Sequence, residues 1–485
     1  MLDSNIKKKE SVHFRCTACI YVFLLSSICL PIESFKAFVI HKPSFRIKPH
    51  TKDERMKASM NEFLVRNKES VNQDDYSAIF VIDTEKNNKI IPCVDSSIVP
   101  PPPSSTSNPD DDFFRDLRQN WPMWIQNKVI RDSGLLRAIS DRFLSVVTAA
   151  GIVQSHPHLF LQFCDISLRK TKSTSYGSHP YQTIDIIEYP LTSRVNSNGS
   201  ENLDLVIFVH GGAWGSGRPW MYRLAASAFA NNSIESDSKT HVAVIGYRTF
   251  PDGDVNDQIQ DIDDALTIIE SKKKYKHVTI IGHSTGAHIS LMMIMKRIKK
   301  QIQNIQKNNP VTKFDDVDQV NSGKIGIDTY MGLSGPYDIP SHLEYEKGRG
   351  VDEISPLLPA CGKTHENLLK SSPAFVWKSI IDEYSNKDDV NYLNKLISIP
   401  KIIFVHGTKD NIVPYTATTS IYNELSETSS NIDKNKFVCQ ALLLKDVGHV
   451  DLILDLFLNG PSKHVIIDLL TKSRNSKNHI EKQFS

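Results

Sequence analysis

The sequence predicts an α/β domain, a mostly parallel central sheet flanked by helices, preceded by a long and poorly ordered N-terminal extension. Two observations carry this. From about Tyr176 onward, short continuous runs of β-branched and apolar residues alternate with segments of helical periodicity, the pattern of strands joined by helical crossovers. The run Val278–Ile281 then leads directly into Gly282-His283-Ser284-Thr285-Gly286 and a further helical apolar pattern, which places G-x-S-x-G between a strand and a helix.

The 485-residue chain is long enough for one large α/β domain plus a smaller region. Its hydrophobic content of 40% and charged content of 23% are ordinary for a globular protein. A formal net charge of +2 gives no reason to expect nucleic acid or another polyanion as a partner. The histidines are not arranged at metal-ligand spacing, so no metal is expected. The 7 cysteines fall partly in the N-terminal apolar stretch, leaving Cys93, Cys164, Cys361 and Cys439, which read as free thiols, with one or two disulfides also open.

At the start, Lys7, Lys8, Lys9 and Arg15 precede an uncharged stretch from Cys16 to Ile32. A basic region followed by a short apolar one is the layout of a secretory signal peptide, and the run is shorter than the ~20 residues of a spanning helix. Cleavage after Ala37 makes residues 1–37 a targeting segment. Phe38 and the basic residues after it resemble two-part plastid presequences, so plastid delivery stands as an alternative, as does an uncleaved anchor that would associate the protein with a membrane. Residues 38–134 read as a low-order region, with one strand at Ile79–Ile82 and an exposed linker at Pro100–Asp112 rich in Pro, Ser and Asp. Residues 135–175 form a helical lead-in: Leu136, Ile139, Phe143, Val146 and Val147 have helical spacing.

Residues 176–472 form the expected catalytic domain, and 473–485 a polar tail. Strands are expected at Tyr181–Tyr189, Leu203–Val209, Val242–Gly246, Val278–Ile281, Ile325–Leu333, Ile402–Val405 and Ala441–Leu444. Several are uninterrupted apolar runs, as strands covered on both faces must be. Helices are expected between them at Tyr222–Asn231, Asp257–Ser271, His288–Lys300 and Thr416–Leu425. The polar stretch Lys296–Lys324 reads as a helix end and surface loop.

Ser284 is the candidate nucleophile. Its hydroxyl must project from a tight turn, and a side chain at Gly282 or Gly286 would meet neighbouring backbone. A serine needs a base, and that base needs a carboxylate to hold its tautomer. In this architecture the order along the chain is Ser, acid, His. Asp410 follows the apolar run Ile402–Val405, and His449 follows Ala441–Leu444, both at strand ends where site residues of parallel sheets gather. Glu424 and Asp446 are the nearest alternative carboxylates in sequence. His210-Gly211-Gly212-Ala213-Trp214 follows Leu203–Val209. The amides of Gly211, Gly212 and Thr285 are the expected oxyanion donors, Trp214 and Tyr247 the candidate pocket residues, and His283 and His288 read as packing residues.

These residues resemble an α/β-hydrolase of the esterase/lipase class with an H-G-G loop, and more closely the isoprenylcysteine methylesterases. The resemblance rests on Gly211-Gly212-Ala213-Trp214, Tyr247-Arg248-Thr249-Phe250-Pro251-Asp252-Gly253, Gly282-His283-Ser284-Thr285-Gly286-Ala287-His288 and Gly332-Leu333-Ser334-Gly335, and spans about Tyr176 to Asp468. It departs at Thr285, where that family usually has Ala, and it does not extend to the N-terminal region. It implies a serine carboxylesterase without a cofactor, acting on a small hydrophobic ester such as a prenylcysteine methyl ester. Kynurenine formamidases share the H-G-G-x-W loop and the same three residues, so a formamidase-type amidase is the alternative. A non-catalytic ligand-binding protein on the same fold is the reading from another class.

Overall fold

A computed structural model of the chain describes residues 79–83, 89–92, 156–188, 203–231, 239–272, 275–307, 326–353, 355–385, 399–428 and 437–481. The strands are β1 (Ile79–Asp83), β2 (Lys89–Pro92), β3 (Thr171–Ser175), β4 (Thr183–Ile187), β5 (Leu203–Val209), β6 (Lys239–Ile245), β7 (Val278–His283), β8 (Thr329–Leu333), β9 (Lys401–Gly407) and β10 (Cys439–Leu444). The helices are α1 (Pro157–Asp165), α2 (Pro219–Asn231), α3 (Val255–Lys272), α4 (Thr285–Lys307), α5 (Ile339–Arg349), α6 (Leu357–Cys361), α7 (His365–Lys370), α8 (Pro373–Ser385), α9 (Thr416–Thr428), α10 (Asp451–Leu458) and α11 (Pro461–Glu481).

The ten strands among the described residues form one sheet in the order β2-β1-β10-β9-β8-β7-β5-β6-β4-β3. The run from β1 through β10, β9, β8, β7 and β5 to β6 is parallel, and β2, β4 and β3 join antiparallel. Each face has its own core. Leu205, Ile207 and Val209 of β5 pack with α3, α4, α8 and α9, while Val206 and Phe208 pack with α2, α10 and α11. Alternate side chains thus enter opposite cores, which is why β5 reads as one apolar run. On α3, Val255, Ile259, Ile262, Leu266 and Ile269 are buried at helical spacing, facing the sheet.

The topology positions the site. β6 lies on one side of β5 and β7 on the other. The chain therefore reverses its direction of travel across the sheet at β5, and loops at the carboxyl ends of strands flanking such a point border a crevice. The parallel strands β5, β7, β8, β9 and β10 all empty onto that edge.

The strands and helices expected between residues 176 and 472 are all present, most with shifted ends, while the helical residues Leu136 to Val147 lie outside the described residues; the differences have physical reasons. The strand expected at Ile79–Ile82 is β1, which pairs with β10; the low-order reading of residues 38–134 misses β2, which returns antiparallel to it. A four-residue strand gives too little period to detect beside a polar linker. β3 was hidden in the helical lead-in because Thr171–Ser175 is polar and mostly exposed, as an edge strand can be. The lead-in itself is described only from His156, as α1 and a short π-helical turn at Ile166–Lys170. The helices α5 to α8, between β8 and β9, were not read from the sequence. α5 has clear punctuation: the Asp338 side chain accepts from the Ser341 amide, Pro340 lies in the first turn, and Gly350 ends the helix at a φ of 70°. α11 continues to Glu481, through most of the expected tail. Cys361 and Cys439 are buried free thiols. Residues 1–37, the 100–112 linker and Cys93 lie outside the described residues. Among the described residues, no helix is long and apolar enough to cross a membrane, and no group of three His, Cys, Asp or Glu could hold a metal ion.

Candidate active site

β7 ends at His283, and α4 begins at Thr285. Ser284 between them has a φ of 55°, a left-handed conformation that a non-glycine residue adopts only when its surroundings force it. The surroundings are backbone. A Cβ at Gly286 would lie 2.1 Å from the Val209 carbonyl oxygen, and one at Gly282 would lie 2.5 Å from that of Gly286. The turn closes only with glycine at both places. The Ser284 amide donates to the Leu333 carbonyl at 2.8 Å, and the Ser284 carbonyl accepts from Ala287 and His288. The Thr285 amide, at the first position of α4, has no acceptor among the described residues. It points the positive end of a long helix dipole at the space beside Ser284.

The loop after β5 passes against this turn. A Cβ at Gly211 would lie 3.0 Å from Ser284 Cβ. Gly212 has a φ of 141°, and Ala213 and Trp214 are also left-handed, at 45° and 59°. The Gly212 carbonyl is occupied by the Gly215 and Ser216 amides and the Ser216 hydroxyl. The Gly211 and Gly212 amides donate to no acceptor among the described residues. The loop is braced from below. His210 stacks between Tyr222 and Tyr247 with centroids at 5.4 and 4.4 Å, and burial pushes its pKa down to about 4, so it stays neutral.

Tyr247 and Trp214 were expected in the substrate pocket, and the structure corrects this. Each is only 1% exposed. The Tyr247 hydroxyl donates to the His210 carbonyl at 2.8 Å. Trp214 Nε1 donates to His288 Nδ1 at 3.1 Å, and the Trp214 amide donates to Thr285 Oγ1 at 3.2 Å. Both are braces of the glycine loop: large aromatic surfaces gain most from full burial, and their polar atoms already have partners. His288 passes the connection on, its Nε2 lying 2.7 Å from the Ser371 carbonyl oxygen.

Asp410 and His449 stand on the loops after β9 and β10. His449 Nδ1 lies 2.7 Å from Asp410 Oδ2, so the Nδ1–H donates to the carboxylate. Asp410 Oδ1 accepts from the Ile412 and Val413 amides, each at 2.9 Å. His406 Nε2 stands 3.2 Å from Asp410 Oδ2. Burial would raise the Asp410 pKa, but the His449 and His406 charges and hydrogen bonds outweigh it and hold the carboxyl well below its ordinary range. Asp446, the alternative carboxylate, is half-buried and pairs with Lys409 Nζ at 2.9 Å. Glu424 is on α9.

Ser284 and His449 are linked through His283, whose Nε2 lies 3.1 Å from the His449 carbonyl oxygen. His406, four residues before Asp410 at the end of a buried strand, was not singled out from the sequence, and His283 was read only as packing. Beside Asp410 and His449 one apolar residue of each loop is exposed, Ile412 at 40% and Val450 at 51%, next to the exposed Lys409 and Asp451. His342 on α5 is buried, its ring 6.3 Å from Trp214. Burial, then the His449 charge, lower its pKa to about 3.

A family model described as BD-FAE matches residues 194–425. The probable isoprenylcysteine alpha-carbonyl methylesterase ICME of Oryza sativa subsp. japonica is 25% identical over 305 residues, covering 62% of this chain and 63% of that one. The isoprenylcysteine alpha-carbonyl methylesterase ICME of Arabidopsis thaliana is 23% identical over 306 residues, 62% of this chain and 61% of that one. This is an α/β-hydrolase fold, and the chain resembles the isoprenylcysteine methylesterases. It spans less than two thirds of the length of these curated relatives. A kynurenine formamidase of Meyerozyma guilliermondii is 28% identical over 127 residues, 26% of this chain and 44% of that one. Among solved structures, esterase B of Lactobacillus rhamnosis is similar at a TM-score of 0.45 and 15% identity, over 71% of this chain and 99% of that one.

Proposed function

We propose that the chain is a carboxylic ester hydrolase that works through an acyl-enzyme on Ser284, with a prenylcysteine methyl ester as the substrate class. The observation that carries the reading is the 2.7 Å contact between His449 Nδ1 and the buried Asp410 carboxylate. With the proton on Nδ1, Nε2 is left as the basic nitrogen. In the proposed reaction His449 Nε2 takes the Ser284 proton as Oγ attacks the ester carbonyl. The developing oxyanion is met by the Gly211, Gly212 and Thr285 amides, and His449 returns the proton to the departing alcohol. Water, deprotonated by the same nitrogen, then releases the acid.

The likeness to methylesterases and the exposed Ile412 and Val450 beside the two proposed partners support an apolar ester. The shorter match to a formamidase supports an amide as the second substrate to try. The test is a hydrolysis panel of prenylcysteine methyl esters, the unprenylated cysteine methyl ester, p-nitrophenyl acetate and N-formylkynurenine. The prenylated ester is expected to give the highest kcat/KM, and Ser284→Ala is expected to lose on the order of 10⁴ or more in rate. Preference for N-formylkynurenine would move the assignment to the amidase. No turnover of any ester would end it.

A further inference from the structure

His283 does more than its sequence position suggests. It closes β7 and immediately precedes Ser284. Its ring is 6% exposed and lies 4.8 Å from the His449 ring, centroid to centroid, tilted at 46°. Its Nε2 is 3.1 Å from the His449 carbonyl oxygen. A carbonyl oxygen only accepts, so Nε2 carries the proton and Nδ1 the lone pair. Nδ1 has no hydrogen-bond partner among the described residues. It faces the glycine loop, since a Cβ at Gly211 would lie 3.1 Å from it. One ring therefore touches the glycine loop, the serine turn and the histidine loop.

Packing alone does not explain this residue. An apolar side chain would fill the same space without burying an unpartnered nitrogen, which carries a desolvation cost. What histidine adds is the Nε2–H, and that donor is spent on the backbone of His449. The His449 loop needs such a tie. Its side chain is held by Asp410 through Nδ1, but one bond leaves the ring free to pivot about Oδ2. A second fixed point, at the carbonyl of the same residue, determines where Nε2 stands relative to Ser284. The ring also stays neutral: burial, then the His449 charge, push its pKa down to about 3. A neutral donor does not repel the imidazolium that His449 becomes during turnover.

We propose that His283 is a positioning residue that locks the His449 loop to the serine turn through the bond from its Nε2–H to the His449 carbonyl. The proposal rests on the assignment of Ser284, His449 and Asp410 made above. Misplacing a reacting group by about 1 Å can cost on the order of 10²-fold in rate.

The test compares His283→Phe with His283→Gln. Phe keeps the ring volume and removes the donor. Gln places its amide N–H where Nε2–H stands. Steady-state kinetics on p-nitrophenyl acetate are expected to give kcat reduced about 10²-fold in His283→Phe with KM within about twofold, and kcat restored to within about fivefold of wild type in His283→Gln. A purely structural role would instead lower the melting temperature of both variants and leave them equal in kcat. Wild-type kcat in His283→Phe, or a Gln variant no better than Phe, would overturn the proposal. Should His283→Phe not fold, His283→Asn replaces it, because its shorter amide cannot reach the carbonyl, and the same two outcomes apply. A wild-type protein that neither turns over esters nor labels at Ser284 would overturn the catalytic reading and this proposal with it. An active wild type with an indifferent His283→Phe would overturn this proposal alone.

Discussion

The loops after β5 and β7 meet the loops after β9 and β10 at one crevice, but the two pairs are held by different forces. The first pair is shaped by backbone sterics. Gly282 and Gly286 admit no Cβ, Gly211 lies against Ser284, and Gly212, Ala213, Trp214 and Ser284 all have positive φ. The second pair has one steric contact of this kind, a Cβ at Gly407 falling 2.1 Å from the Val447 carbonyl oxygen, and is otherwise held by hydrogen bonds from side chains. His449 binds Asp410, His406 approaches the same carboxylate, the Asp446 amide donates to Thr408 Oγ1, and His283 reaches the His449 carbonyl. Where backbone leaves no room for a Cβ, only glycine is accepted, and this leaves its mark in the sequence. A hydrogen-bonded loop can be tied by several residue types from distant positions, and leaves a weaker one.

Cutting each half should therefore fail in a different way. Asp410→Asn keeps the acceptor for the Ile412 and Val413 amides but presents N–H where His449 needs an acceptor, so the wrong imidazole tautomer is favoured. Turnover is expected to fall on the order of 10⁴-fold with little change in melting temperature. Asp446→Asn removes partly exposed ion pairs with Lys409 and Lys445 and should leave turnover within about twofold. Gly286→Ala pushes a methyl into the Val209 carbonyl and should cost about 3 kcal/mol of stability along with activity. Thermal melts and p-nitrophenyl acetate kinetics on the three variants make the comparison. A stable, well-folded Gly286→Ala would break the steric half of it, and a benign Asp410→Asn the other.

This division also accounts for what the sequence disclosed. Ser284, the glycines and the Gly211–Trp214 loop were legible because each position tolerates few residues. Asp410 and His449 were legible through their strands and their order in the chain. His406 was not, although Asp410 is only four residues on, because a histidine closing a buried strand reads as packing; His283 was not, because its partner, the His449 carbonyl, is brought near only by the strand order β10-β9-β8-β7. Trp214 and Tyr247, the candidate pocket residues, are buried against the glycine loop. Their burial depends on the neighbours His288 and His210, which sequence distance conceals. β1 was legible as the apolar run Ile79–Ile82, but β2 and the long-range pairing of β1 with β10 have no local signal.

A smaller effect concerns acid. His210 and His288 have pKa values lowered to about 4, and His283 and His342 to about 3, all chiefly by burial. The unfolded chain protonates these rings near pH 6.5. Between pH 6.5 and those lowered values the unfolded state binds more protons, so stability falls as pH falls, by about 1.4 kcal/mol per pH unit for each ring. Asp410 adds to the loss only at lower pH: its folded pKa lies below the ordinary value, so its stabilisation is present above that value and disappears as pH drops through the lowered one. Urea unfolding of wild type and His210→Phe at pH 6 and pH 5 checks the sign. The variant should lose about 1.4 kcal/mol less between the two. Equal losses would mean that His210 is protonated in the folded protein.

The central claim, that these two differently held halves meet to activate Ser284, is tested most directly by covalent labelling. The wild-type protein and Ser284→Ala would be treated with a fluorophosphonate and analysed by intact mass and peptide mapping, with ester turnover followed on the same samples. The account predicts one adduct on the wild type, located at Ser284, with turnover lost in proportion to labelling, and no adduct on Ser284→Ala. An adduct on another residue, or ester hydrolysis that continues in Ser284→Ala, would contradict it.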